Sequence, residues 1–130
     1  MILSKNLIAV QTEELEKQIY DMVQDKVIKQ FVDLIILSAL KQRKMSGYDI
    51  VLLIKKKYAL NVSPGTVYQH LYSMERKGLL VAIPAEHKMT YELSHLGKGT
   101  IEILNNPNGR VMQFVGLLLK GLSERNEHGE

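Results

Sequence analysis

The chain has 130 residues, a net charge of +3, 45% hydrophobic and 24% charged residues, and no cysteine. This length suits one domain with appendages and excludes two independent enzymatic domains, while the absent thiols remove disulfides, thiolate nucleophiles and cysteine-ligated zinc. The charge is uneven: residues 41–77 hold eight Lys or Arg against Asp49 and Glu75, so the remainder is net acidic.

Met1-Ile2-Leu3 is interrupted by Ser4, Lys5 and Asn6, with no small-residue cleavage site before Glu13-Glu14, so no secretory signal is expected and a cytoplasmic protein is. Thr12 ahead of Glu13, Glu14 and Glu16 predicts a helix from about residue 13, because a hydroxyl and carboxylates suit the free amides of a helix start. Its stripe of Leu15, Ile19, Met22, Val23 and Val27 must bury against the domain or against a second subunit. From Phe31 the chain is apolar nearly all round, predicting a central core helix over 29–41. Ser46 and Asp49 have capping-box spacing, which predicts a second helix over 47–58. Ser63-Pro64 starts a third helix over 64–77 that Gly78 closes.

The inward stripe of that third helix is Val67, Leu71 and Met74, leaving a polar, basic outer face without carboxylates. Residues 79–83 and 89–93 read as a small hairpin joined by 84–88, with Met89, Tyr91 and Leu93 facing inward. A fourth helix is expected over 98–105, with Gly97, Gly99, Gly109 and Gly116 read as turn markers. After the break Asn106-Pro-Asn-Gly, a final helix carries Val111, Phe114, Val115, Leu118 and Leu122 at helical spacing. The apolar run 111–119 is far short of the roughly 20 residues a membrane helix needs.

The fold class this implies is mainly α with a small β-hairpin: a winged helix-turn-helix domain (29–105) between an N-terminal arm and helix (1–28) and a C-terminal dimerisation helix and tail (106–130). The motifs Leu37-Ser-Ala-Leu40, Ser46-Gly-Tyr-Asp-Ile50, Ser63-Pro-Gly-Thr-Val-Tyr68, Leu71, Met74-Glu75, Lys77-Gly-Leu79, Tyr91-Glu-Leu-Ser94 and Gly97 resemble the PadR-like transcription regulators over roughly 32–99. Gln69 stands where many members have proline, Ser73 where a basic residue is common, and Ser94 replaces the usual threonine. An operator therefore cannot be carried over from a relative. The resemblance implies dimerisation through C-terminal helices and action by binding rather than catalysis.

Ser63, Thr66 and Tyr68 are candidates for phosphate oxygens and Gln69 and His70 for base edges, with Ser73, Arg76 and Lys77 on the same outer face. Tyr68 admits a buried role as well. Arg43, Lys44, Tyr48, Lys55 and Lys57 are further DNA-facing candidates, Lys55 and Lys57 also reading as part of a solubilising helix end; on the short wing the candidates are His87 and Lys88. The expected dimer interface is Leu15, Ile19, Val111, Phe114, Val115, Leu118 and Leu122. His70, His87, His95 and His128 lack metal-ligand spacing, so no metal and no cofactor is expected, and no glycine-rich loop or acid pair suggests an enzyme.

The expected function is a regulator, in the first place a repressor, that binds an inverted-repeat operator in double-stranded DNA as a homodimer. A nonspecific architectural chromatin protein and a winged-helix protein-interaction module are the alternatives. No residue identifies a small-molecule effector, although the resemblance is compatible with one.

Overall fold

Neither glycine nor proline occurs ahead of Gly47, so nothing in the first third of the chain stops a helix once begun. The computed structural model describes the backbone of residues 2–124 and side chains from Leu7 onward; the expected tail beyond, with His128, lies outside the described residues. Its first helix runs over Ile2–Gln42 (α1), which corrects the expected start near residue 13. Thr12 is no cap: its hydroxyl donates to the Ile8 carbonyl at 2.9 Å inside the helix. Only Phe31, at φ −116° and ψ 22°, leaves helical geometry. Just beyond it the Leu34 N–H donates to Asp33 Oδ1 at 2.9 Å, a side-chain acceptor where the main-chain ladder is disturbed. The arm and the first core helix are thus one kinked run.

There follow Met45–Ser46 (β1), Gly47–Tyr58 (α2), Pro64–Arg76 (α3), Leu80–Ala85 (β2), Lys88–Leu93 (β3), His95–Asn105 (α4) and Arg110–Ser123 (α5). The local signals act as their chemistry dictates. Ser46 Oγ accepts the Asp49 N–H at 3.1 Å and Asp49 Oδ2 accepts the Ser46 N–H at 3.0 Å, a complete capping box. After α3, Gly78 takes φ +79° and the N–H groups of Gly78 and Leu79 return to the carbonyls of Glu75 and Met74, a Schellman closure that only a left-handed residue permits.

The sheet has three antiparallel strands in the order β1-β3-β2, one more than the expected hairpin. β1 escapes pattern reading because two residues show no alternation; its Met45 and Ser46 pair with Tyr91 and Thr90. The hairpin is also longer than expected. Pro84 pairs within β2, and Ala85 faces Lys88 across a two-residue turn in which His87 adopts φ 60°. Tyr91 and Leu93 are buried as expected, but Met89 is exposed, next to the hairpin turn and at the far end of β3 from Leu93.

α4 begins at His95 rather than near 98, since Ser94 Oγ accepts the Gly97 N–H at 3.0 Å as its cap. The expected turn glycines are corrected with it: Gly97 and Gly99 lie in α4, Gly116 in α5, and Gly109 caps α5. Gly97 is needed for approach, because a Cβ there would lie 2.2 Å from the Leu79 carbonyl oxygen.

The core is Ile28, Val32, Ile36 and Leu40 of α1 closed by Ile50 and Ile54 of α2, the Val67, Leu71 and Met74 stripe of α3, and Tyr91, Leu93 and Ile101. The result is the winged helix-turn-helix layout, mainly helical and flanked by helices. Among the described residues, no helix is long and apolar enough to cross a membrane.

Candidate nucleic-acid interface

With Val67, Leu71 and Met74 fully turned inward, helical geometry at about 100° per residue places Gly65, Gln69, Tyr72 and Arg76 along one outward ridge. Gln69, Tyr72 and Arg76 are exposed, while Thr66, Tyr68, His70 and Ser73 are half-buried on the flanks. His70 lies nearer the buried stripe than Gln69 does, so the two expected base-reading residues are not equivalent. Lys77 caps the helix at its exposed end.

The start of α3 is chemically poised. Ser63 Oγ accepts the Thr66 N–H at 3.1 Å and lies 2.8 Å from Thr66 Oγ1, so one hydroxyl of the pair donates to the other. Whichever donates, the second keeps its hydrogen for an outside acceptor. Pro64 at the first position has no N–H to satisfy. A phosphate oxygen is an acceptor of the right kind for such a helix end. Beside it, Ser63 and Thr66 share a groove with Asp25 and Lys29 of α1, themselves an ion pair at 3.0 Å.

Tyr68 fills the angle between α2 and α3. A Cβ at Gly47 would meet its ring at 2.5 Å, so the glycine is what lets the ring lie against the α2 backbone. Tyr68 therefore positions α3 as well as edging the outer face. Tyr72, which the sequence reading passed over, stands one turn on with its ring centroid 6.1 Å from that of Tyr68. The available signal was the Tyr68–Tyr72 spacing of four, which brings two aromatic rings together on a helix. Tyr48, at the start of α2, is 60% exposed.

Glu75 is exposed on α3, and helical spacing puts it on a flank of the helix rather than on the outward ridge. Burial pushes the Tyr91 phenol up, with Tyr72, Glu75 and Tyr68 adding to it. The outward ridge itself carries no carboxylate.

The other expected cations divide. Lys55 is exposed on α2. Arg43 and Lys57 line one groove between the end of α1 and α2, with Ser38, Gln42 and Tyr58, and Lys57 Nζ sits 5.6 Å from the Tyr58 ring. Lys44 joins Arg43 in a second groove beside β3 and α4 that also holds Glu92 and Glu102. On the wing His87 is exposed at the tip, whereas Lys88 Nζ is 4.0 Å from Asp49 Oδ2. The Ser46 N–H holds the Asp49 carboxyl below the usual carboxylate range against the opposing effect of burial, with the Ser46 hydroxyl, Lys88 and Arg43 assisting. Lys88 is thus partly committed to a carboxylate. Among the described residues no group of three His, Asp or Glu could hold a metal ion.

The expected interface residues at the termini are all bare. Leu15 and Ile19 on α1 and Phe114, Leu118 and Leu122 on α5 are exposed, Val111 and Val115 are more than one-third exposed, and no residue of α5 is buried.

Residues 36–103, more than half of the chain, match the sequence model of the transcriptional regulator PadR-like family. No curated protein sequence matches. Among solved structures, a transcriptional regulator from Clostridium thermocellum is similar at 20% identity over 76% of this chain and 96% of its own, with a TM-score of 0.64. A PadR family regulator from Clostridium difficile is 23% identical over 71% and 97%, with a TM-score of 0.60. A PadR-like regulator from Bacillus cereus is 23% identical over 74% and 98%, with a TM-score of 0.59. At such identities these structures speak for the fold.

Proposed function

The chain belongs to the transcriptional regulator PadR-like family, and from that premise we propose that it is a cytoplasmic regulator, in the first place a repressor, that binds an inverted-repeat operator in double-stranded DNA as a twofold homodimer. The observation that carries the reading is the outward ridge of α3: polar, carboxylate-free, opposite a fully buried stripe, and started by a capping pair with a hydroxyl hydrogen to spare. Such a helix lies in the major groove, where an outward ridge faces base edges and the helix start and flanks face phosphates. Ser63, Thr66 and Tyr48 take phosphate oxygens, Gln69 and Arg76 take base edges, and Lys55 and Lys77 add sequence-independent attraction. Arg43, Lys44 and Lys57 serve the flanking backbone, and the wing contributes His87 more than Lys88.

The termini supply the second half of the proposal. On a domain this size a contiguous apolar face is an association surface, and both the N-terminal half of α1 and the whole of α5 present one. The occupant is a second copy of this chain: a twofold pair closes both faces and sets two copies of α3 about 34 Å apart, which demands two inverted half-sites. In this division residues 1–28 and 106–130 assemble the dimer and 29–105 reads DNA. A dimer seated across two half-sites blocks the same groove to other proteins, which is the basis of repression.

The test is selection of bound fragments from the source genome, followed by footprinting and competition with random DNA. Protection of two half-sites, with operator bound at least a thousandfold better than random DNA, is the expected result. Equal affinity for both would replace the regulator with a nonspecific architectural role. Affinity should also fall by about 0.9 log units per log unit of salt for each phosphate neutralised.

A further inference from the structure

Tyr72 is the one large aromatic side chain on the α3 ridge, three residues from Gln69 and four from Arg76, hence their direct neighbour on the helix surface. A half-exposed tyrosine is ordinary by itself, since folded proteins leave much apolar area in water. What sets Tyr72 apart is that its ring is braced. Tyr68 lies 6.1 Å away at 34°, within the range of an aromatic pair, and Tyr68 is in turn seated on the Gly47 backbone. The chain Gly47–Tyr68–Tyr72 holds an apolar surface in a fixed orientation between two side chains suited to hydrogen-bond base edges. Tyr72 as a residue is 50% exposed, so it has area to bury, and little conformational freedom is lost when it does.

Resting on the reading of α3 as the groove-entering helix, we infer that Tyr72 is a specificity-determining residue whose ring packs against the C5-methyl group of a thymine in each half-site. The major-groove edge of thymine is the one that carries an apolar group, and an apolar side chain is its complement. Gln69 and Arg76 read donors and acceptors on the flanking bases, and Tyr72 reads the methyl between them. The Tyr72 hydroxyl has no part in this.

The experiment uses the full-length protein and its selected operator, with each thymine replaced in turn by deoxyuridine, which removes only the methyl. The expected result is one symmetry-related pair of positions at which the replacement lowers affinity about fourfold per half-site, the value of one buried methyl-sized group. Tyr72→Ala should bind the operator about as weakly as the unaltered protein binds the demethylated one, and should ignore the replacement. Tyr72→Phe should keep the full methyl response, which shows that the ring carries it, and an unchanged circular dichroism spectrum of Tyr72→Ala shows that its loss is not misfolding. A methyl response that persists in Tyr72→Ala, or disappears in Tyr72→Phe, overturns the inference while leaving the regulator reading intact. Failure of the unaltered protein to select any DNA overturns both.

Discussion

The winged core and the terminal helices carry the same kind of apolar helical periodicity and meet opposite fates. In α3 the stripe Val67, Leu71 and Met74 is buried to 2% exposure or less, whereas in α5 Leu118 is 54% and Leu122 78% exposed. Periodicity states that a face requires cover and says nothing of which surface supplies it. In the core the cover is another part of the same chain, brought close by short connections. In α5 the break Asn106-Pro-Asn-Gly holds the helix away from that core, and the same residue types remain bare.

The comparison breaks most visibly if the exposed face is loaded with charge. Leu118→Asp would place an unpaired carboxylate in the proposed seam at several kcal/mol. The variant is expected to sediment as a monomer, to lose most operator affinity and to keep the circular dichroism of a folded winged domain. A dimer that survives this substitution puts the interface elsewhere.

Within the core, tolerance should switch over two residues of one helix. Gly97→Ala would drive a Cβ into the Leu79 carbonyl, at a cost of about 1–3 kcal/mol for overpacking. A Cβ at Gly99 meets nothing within 4 Å, so Gly99→Ala should stabilise α4 by about 0.8–1.0 kcal/mol through helix propensity. Thermal unfolding of the two variants should move in opposite directions.

A third variant separates reading from folding. Gln69 is exposed on the outward ridge, so Gln69→Ala should leave the unfolding temperature unchanged while costing about 1–3 kcal/mol against the preferred operator. Its selected motif should relax at one or two base pairs. A motif identical to that of the unaltered protein removes Gln69 from direct readout.

The smallest effect is pH-dependent and belongs to the junction of β1 and α2. Because the Ser46 N–H depresses the folded-state pKa of Asp49, this group contributes stability above its unfolded pKa and loses it as pH falls through the lower folded value. Asp49→Asn should therefore flatten the acid limb of the stability profile below about pH 4, where an ordinary Asp titrates. An unchanged acid limb in chemical denaturation would show that the capping box adds no pH-dependent stability.

Much of the fold was legible in particular residues. Ser46 with Asp49, Ser63 with Pro64, and Gly78 are local chemistry, decided within four residues of chain, and α2, α3 and the closure of α3 follow from them. The buried stripe of α3, and hence the ridge opposite it, followed from spacing alone. Thr12 misled because its cap signal competes with an uninterrupted helical run, and a threonine hydroxyl can be satisfied inside a helix by the carbonyl four residues back. What tertiary structure alone decided was long-range: the pairing of Met45-Ser46 with β3, the seat of Tyr68 on Gly47 that braces Tyr72, the attachment of Lys88 to Asp49, and the grouping of Arg43 with Lys57. Each joins residues at least 14 positions apart, and the free energy of such a contact depends on where the whole chain has closed, which no window of neighbouring residues encodes.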